Sequence, residues 1–373
     1  RYWVGGTGDW SDATNHWAIV SGGSPSSFYL PTSADDVVID SSSGFGIGGT
    51  ITFDVTAYCN DFTSNSTHTY LIANSQILYL YGSLTLESGV TFNTSNAIIF
   101  MATAVGETIT AGGATLENFG FEGLGGGWTL QDELVLTGFE LINGTFDAND
   151  NNITSNSFYF SAETGYTPTV IMGSGTWEAP IGTSGWTVSE SDGEVVTIIP
   201  EASTIKTDNV FIGGGHTYND VWLTAETNLT GDNIFNDLKI TGTPIYFGEG
   251  STQTVTTFTA IGSLGNLITL DSGDAVTQFN LTKSSGIVIC DYLDINNSNA
   301  TGATWYAGSN SEGETGANNN GWIFTDFPGT ASPSISPSAS ESANPSISPS
   351  ASSSRSPSIS ASASQSISPS ASA

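Results

Sequence analysis

The sequence predicts an all-β chain wound as a parallel β-helix (a β-solenoid), with aromatic-rich terminal caps and an extended non-globular tail. Three observations predict it. Helix signals are nearly absent between Val37 and Thr325: no stretch sustains apolar spacings of three and four, and Gly, Thr and Asn interrupt throughout. Short runs rich in Thr, Val, Ile, Tyr and Phe recur instead, each followed by a Gly- or Asn-rich turn, as in DDVVID, TITFD and GNLITLDSG. Lastly, Tyr218-Asn219-Asp220-Val221-Trp222-Leu223-Thr224 echoes Phe235-Asn236-Asp237-Leu238-Lys239-Ile240-Thr241, seventeen residues later. Looser copies stand at Cys59-Asn60-Asp61-Phe62 and Leu116-Glu117-Asn118-Phe119. Coils of about twenty residues without helix suit a solenoid, in which an Asn or Asp bonds the turn before it. Some fourteen coils at about 4.8 Å each would make a rod of about 65 Å. A tandem β-sandwich or jelly roll is the alternative, since short strands at close intervals suit it too.

Residues 1–34 read as an N-terminal cap. They hold Trp3, Trp10 and Trp17 at a spacing of seven. A solenoid leaves an unpaired strand edge over its core at each end, and atypical aromatic segments close such edges. Residues 35–299 form the solenoid body, within which Val221, Leu223, Leu238 and Ile240 are expected to point inward. Residues 300–329, with Trp305 and Trp322, read as the closing cap. Sugar-stacking platforms are the other use for such tryptophans.

Residues 330–373 form a Ser/Pro/Ala repeat stalk. From Ser332 onward every even position is Ser except Asn344, and a twelve-residue repeat starts at Ser332, Asn344 and Ser356. The segment lacks the apolar surface to offset backbone ordering entropy, so it cannot fold alone. Ser/Pro repeats read as extended, O-glycosylated stalks. Candidate acceptors are Ser332, Ser334, Ser336, Ser338, Ser346, Ser348, Ser350 and Ser358. Ile335, Ile347 and Ile359 are candidates for docking on a neighbouring subunit. As polyproline II the tail would reach about 130 Å, enough to lie along another subunit.

A resemblance sits at the opening. Trp3-Val4-Gly5-Gly6-Thr7-Gly8-Asp9-Trp10-Ser11-Asp12, with Asn15-His16-Trp17, Pro31 and Asp35-Asp36-Val37-Val38-Ile39, resembles the opening repeat of β-helical passenger regions of bacterial autotransporters. With the close CDYLDINNSNATGATWYAGSN and the Ser-Pro stalk, the chain also resembles uncharacterised surface or phage-associated proteins of environmental bacteria. The resemblance implies a β-helical surface protein without catalytic residues. It departs from the autotransporter pattern in lacking the membrane barrel.

Composition narrows the function. The chain has 36 acidic and 5 basic residues, a net charge of −31. That argues against nucleic acid and anionic lipid, both of which need clustered Lys and Arg. No apolar run is long enough to span a bilayer. A removed targeting segment explains the start at Arg1, and a trimmed chain is the other explanation. Cys59 and Cys290, far apart among apolar residues, read as buried thiols. Sequons place candidate N-glycosylation at Asn65, Asn93, Asn143, Asn152, Asn228 and Asn280, with further matches at Asn296 and Asn299.

No chemistry stands out. Some parallel β-helices carry polysaccharide lyases, but a lyase base has only Arg1, Lys206, Lys239 and Lys283 to draw on outside the tail. Carboxylate pairs such as Asp132/Glu133 and Asp291/Asp294 arise by chance among so many acids. His16, His68 and His216 are dispersed. The run from Asp147 to Asn152 opens like a calcium loop, but Asn152 stands where Gly is required and Phe158 where Glu is. No cofactor is expected, with calcium at another oxygen-rich turn left open. The expected function is that of an extracellular structural protein, the repeating subunit of a glycosylated surface fibre that associates head to tail. The alternatives are a monomeric adhesin or phage fibre component that binds carbohydrate and, less favoured, a polysaccharide-degrading enzyme.

Overall fold

A computed structural model describes residues 1–329 apart from 47–48, 66–69, 75, 95–96, 181–184, 274–275 and 314–317; the side chains of 70–74 and 91–94 also lie outside the description. Residues Arg1–Thr330 make one compact unit. It is a β-solenoid of about 12 turns with 1% helix. The sole helical turn among the described residues is Ala13–His16.

The chain climbs by stacking each strand on the one a coil earlier. One ladder starts at Tyr2–Trp3 and rises through Val37–Ile39, Phe62–Ser64 and Leu84–Leu86 to Thr197–Ile199. Another starts at Ala57–Cys59 and rises through Leu78–Leu80 and Ala97–Phe100 to Leu293–Ile295. Every pairing between described strands is parallel except that of Tyr2–Trp3 with Trp17–Ala18. Beyond the first coil, paired strand residues lie from 16 positions apart, as Ile205 and Val221, to 28, as Thr254 and Thr282, while in the first coil Tyr2 and Val38 are 36 apart and Gly8 and Ile51 are 43 apart. Loops inserted between strands make the wider coils longer than the expected twenty residues. That is why about twelve coils form rather than fourteen.

Alternation selects the core. In strand after strand the pattern is buried, half-buried, buried, as in Val37–Ile39, Leu78–Leu80 and Leu84–Leu86. Val221, Leu223, Leu238 and Ile240 all point inward, as expected. Parallel stacking puts like side chains over one another. Phe119, Phe139, Phe158 and Trp186 pair strand over strand in one internal column, with Phe139–Phe158 and Phe158–Trp186 ring centroids 5.9 and 5.5 Å apart, and Phe100 stacks on Phe121 beside it at 4.7 Å. Those steps sit near the roughly 4.8 Å strand spacing. Burying each such side chain contributes about 1.5–3 kcal/mol. Cys59 and Cys290 are buried free thiols, and burial pushes the Cys290 thiol up to about 12.

The turns carry an inter-coil hydrogen-bond system. Asn60 donates to Asp36 Oδ1, Asn219 to the Ser203 carbonyl and Asn236 to Asp220 Oδ1. Each thus bonds the preceding coil, as the echo predicted. Asn233 and Gln253, both fully buried, extend this inward. Asn233 Nδ2 donates to Gln253 Oε1 at 3.0 Å and to the Thr230 and Gly231 carbonyls, while its Oδ1 accepts from the Gly215 amide. Among its partners only the Gly215 amide and Gln253 Oε1 depend on Asn233 alone, because Thr230 also accepts from the Gly213 amide and Gly231 from Gln253.

The two ends differ. At the start, Trp3, Trp10 and Trp17 are all within the core. Trp17 meets Trp3 and Trp10 edge-on at 5.0 and 4.7 Å, and His16 stacks flat on Trp3 at 4.6 Å. The antiparallel strand Trp17–Ala18 covers the outer edge of Tyr2–Trp3. These tryptophans therefore fill space and offer no platform to a sugar. At the other end, Trp305 is buried against half-buried Trp322. The two-residue strand Trp322–Ile323 pairs on one side only among the described residues.

Candidate functional site: the outer rows of the solenoid

Residues that alternate with the core form vertical rows on the outside, and two of these rows carry the surface features. The first follows the register Tyr58, Tyr79, Ile99, Gly120, Glu140, Tyr159, one residue per coil. Beside it, two residues earlier in each strand, runs Ala97, Asn118, Gly138. Ser157 follows Gly138 in space; a Cβ on Gly138 would lie 3.5 Å from Ser157 Oγ and 2.4 Å from Asn118 Oδ1.

The two glycines lower the surface where the rows meet. A furrow of about 260 Å3 results, floored by Gly120, Gly138 and the edges of Phe119 and Phe139, and walled by Ile99, Asn118, Glu140, Ser157 and Tyr159. Tyr58 and Tyr79 continue the row, stacked at 5.4 Å and 12°. Burial, aided by the nearby Glu122 carboxylate, raises the Glu140 carboxyl above its usual range.

The second feature gathers two of the five basic residues. Glu178, Lys206, Trp222 and Lys239 stand in register on the outside of successive coils. Lys206 pairs with Glu178 at 3.2 Å, and both lysines lie over the Trp222 ring, at 5.1 and 3.9 Å. The lysines are satisfied within the row, which reads as a cross-coil staple. Asp237, on the neighbouring row position, stacks over Asp220. Burial, then the Asp220 charge, raises its carboxyl, and its Oδ1 is buried without a hydrogen-bond partner among the described residues.

Three of the four acids singled out in the sequence hold turns together, and Glu133 is exposed. Asp132 accepts from the Ala111 and Gly112 amides at 2.7 Å each. Asp291 accepts from the Tyr292 and Asn310 amides, and Asp294 from Asn296. The run from Asp147 to Asn152 is a turn: Asn149 and Asp150 take positive φ, and Asn151 donates to three carbonyls across two coils. Among the described residues no group of three or more His, Cys, Asp or Glu is placed to hold a metal. His16 bonds the Val4 carbonyl and His216 meets Glu190 at 2.8 Å; His68 lies outside the described residues.

The sequons separate by exposure. Asn65, Asn152 and Asn228 are exposed. Asn280 is half-buried and tied to the Gly250 and Ser251 carbonyls and to Asn299. Asn143 does not present an acceptor: it is 2% exposed, and its Nδ2 is sealed from solvent. The Asn93 side chain lies outside the description. So do all eight tail serines and Ile335, Ile347 and Ile359. Sequence reasoning missed the furrow. Its signal was the run Phe119-Gly120-Phe121, Phe139-Glu140-Leu141, Phe158-Tyr159-Phe160, in which an outward residue sits between two inward ones at intervals of about one coil.

Comparison with known protein families, with curated proteins and with solved structures finds no match. Among the described residues no helix is long and apolar enough to cross a membrane.

Proposed function

We propose that this chain is a non-catalytic extracellular structural protein, the repeating subunit of a glycosylated surface fibre. The observation that carries the reading is the inequality of the two ends. The first strand is covered by Trp17–Ala18, with Ile19, Val20 and Phe28 exposed just after it, whereas the last strand Trp322–Ile323 pairs on one side only among the described residues, beside exposed Ile287, Ile289 and Phe324. A surface of one kind at one end and another at the other suits a heterologous contact that propagates without closing. Apolar residues clustered beside an unpaired edge are what such a contact buries.

Sequence supports the rest. The Ser/Pro repeat follows these coils directly and has the composition of an O-glycosylated stalk. Its Ile335, Ile347 and Ile359 give it apolar contacts for a neighbouring subunit, while its prolines rule out a full β ladder. The resemblance of the opening to β-helical surface proteins agrees with this placement outside the cell. A monomeric adhesin is the second reading, favoured by the aromatic row and furrow on the flank.

Electron microscopy of the full chain tests the proposal. Long uniform fibres are expected, with shorter or no fibres after deletion of residues 330–373. Single rods at every concentration would overturn it. Intact mass of native material tests the stalk: a tail peptide at its unmodified mass removes the glycan from the reading.

A further inference from the structure

We propose that the furrow over Gly120 and Gly138 binds an uncharged glycan chain lying along the solenoid axis. The site belongs to the flank of the rod and does not depend on fibre assembly.

Shape is the first ground. Two glycines and Ala97 replace side chains at adjoining outer positions, and the walls rise around them. The result, at about 260 Å3, has room for a pyranose ring with part of its neighbour. The half-buried Tyr159 supplies a ring on which a sugar face can rest, and the buried Ile99 contributes only its edge to the wall.

Unmet hydrogen bonding is the second. In the other clear copies of the echo the Asn amide is spent on the coil below. Here Glu117 takes that place and accepts from Thr137, and Asn118 is left facing the furrow. The Asn118 amide, the Glu140 carboxylate, the Ser157 hydroxyl and the Tyr159 hydroxyl have no side-chain hydrogen bond within the described protein. Donors and acceptors spaced around an apolar floor match a ring with an apolar face and hydroxyls at its rim.

Charge is the third. No Lys or Arg lines the furrow, and Glu140 stands near Glu122, so an acidic sugar would be repelled. A peptide adding by its backbone needs a strand edge, and this is a sheet face with both edges paired. The row repeats at about 4.8 Å per coil, close to the advance of one residue in an extended 1,4-linked chain. Tyr79 and Tyr58 prolong it over a span of about 24 Å from Tyr58 to Tyr159, counted in coils.

Calorimetric titration of the full chain with cellohexaose, xylohexaose and mannohexaose is the test. Hexagalacturonate and hexalysine serve as charged comparators. At least one neutral hexasaccharide is expected to bind at millimolar concentration or below. Tyr159→Ala is expected to weaken it roughly tenfold, the loss of one ring contact. Gly138→Leu fills the floor and is expected to abolish it. Lys239→Ala, on the other row, should leave it unchanged. Tyr159 is half-buried on the outer surface, so its truncation leaves the core intact if Gly138→Leu fails to fold. The proposal is overturned if none of the three binds, if a charged comparator binds more tightly with an affinity that Tyr159→Ala weakens, or if Tyr159→Ala binds the neutral hexasaccharides like the parent.

Discussion

The buried pair Asn233 and Gln253 allows a prediction whose size follows from counting hydrogen bonds. Asn233→Leu keeps the volume and removes the amide. Four bonds go: three donated by Nδ2 and one accepted by Oδ1. The Thr230 and Gly231 carbonyls keep the Gly213 amide and Gln253 Nε2 as partners. Gln253 Oε1, fully buried, keeps none among the described residues, whereas Gly215 is exposed and its amide can turn to water. The orphaned Gln253 Oε1 costs about 1–3 kcal/mol and the lost bond to the Gly215 amide about 0.5–1.5 kcal/mol, so the substitution should destabilise by about 1.5–4.5 kcal/mol. Gln253→Leu differs. Asn233 Nδ2 retains the Thr230 and Gly231 carbonyls, Gly231 retains Asn233, and only the Ser251 hydroxyl loses a partner. Its cost should stay under about 2 kcal/mol, because bonds lost without an orphan largely offset against apolar burial. Urea unfolding followed by circular dichroism reads both values, and amide exchange at Gly215 reports the lost bond directly. Equal costs, or a larger cost for Gln253→Leu, would show that orphaned groups do not govern this interior.

Other outcomes follow from the same structure. Leu238→Asp places an unpaired charge where Leu238 is fully buried, and should abolish folding as read by circular dichroism. Leu238→Ala should fold but lose about 2–5 kcal/mol in urea unfolding. Asp237 has its carboxyl raised by burial and by Asp220, so the folded state holds its proton more tightly than the unfolded one. Its penalty is full above the raised folded value and fades as pH falls toward the ordinary carboxylate range. Asp237→Asn should therefore stabilise at pH 7, and the gain should shrink on acidification; a gain that is flat with pH would refute this. Incubation with neutral or acidic polysaccharides should release no new reducing ends or unsaturated products, and turnover lost on mutating a carboxylate pair would overturn the non-catalytic reading.

The fold was legible because a solenoid is written locally. Alternation within three to six residues fixes which side chains enter the core, and the echo at Tyr218 and Phe235 marks two coils stacked in perfect register. Its looser copies were local resemblances of another kind. Cys59 and Phe62 are both buried, as are Leu116 and Phe119, but Cys59 closes one strand and Phe62 opens the next, in a different ladder. What the motif encodes is an inward residue, two polar residues and another inward residue. It serves a corner in one coil and the length of a strand in another.

Vertical neighbours were much less legible, and the furrow is made of them. Gly120 and Glu140 are twenty residues apart, Glu140 and Tyr159 nineteen, and Tyr159 and Thr187 twenty-eight. With the interval drifting, no fixed period aligns the outward positions, and outward positions carry no hydropathy signal to restore the alignment. The inward positions do carry one, so the core column of Phe119, Phe139 and Phe158 can serve as the ruler. Each core residue fixes the outward residue next to it, and Gly120, Glu140 and Tyr159 then fall into line. A solenoid with irregular coils thus has its core specified by short-range pattern and its surface specified only through that core. A surface site on such a rod therefore depends on the same register as the core beneath it. Inserting one residue into the turn at Asn143-Gly144, between the strands Leu134–Leu141 and Thr145–Asp147, tests this. The inward phase can recover by the loop at 148–152, after Thr145–Asp147, so the chain should still fold. A single insertion within Leu134–Leu141 would instead exchange its inward and outward faces, taking Phe139 from the core and Glu140 from the furrow together.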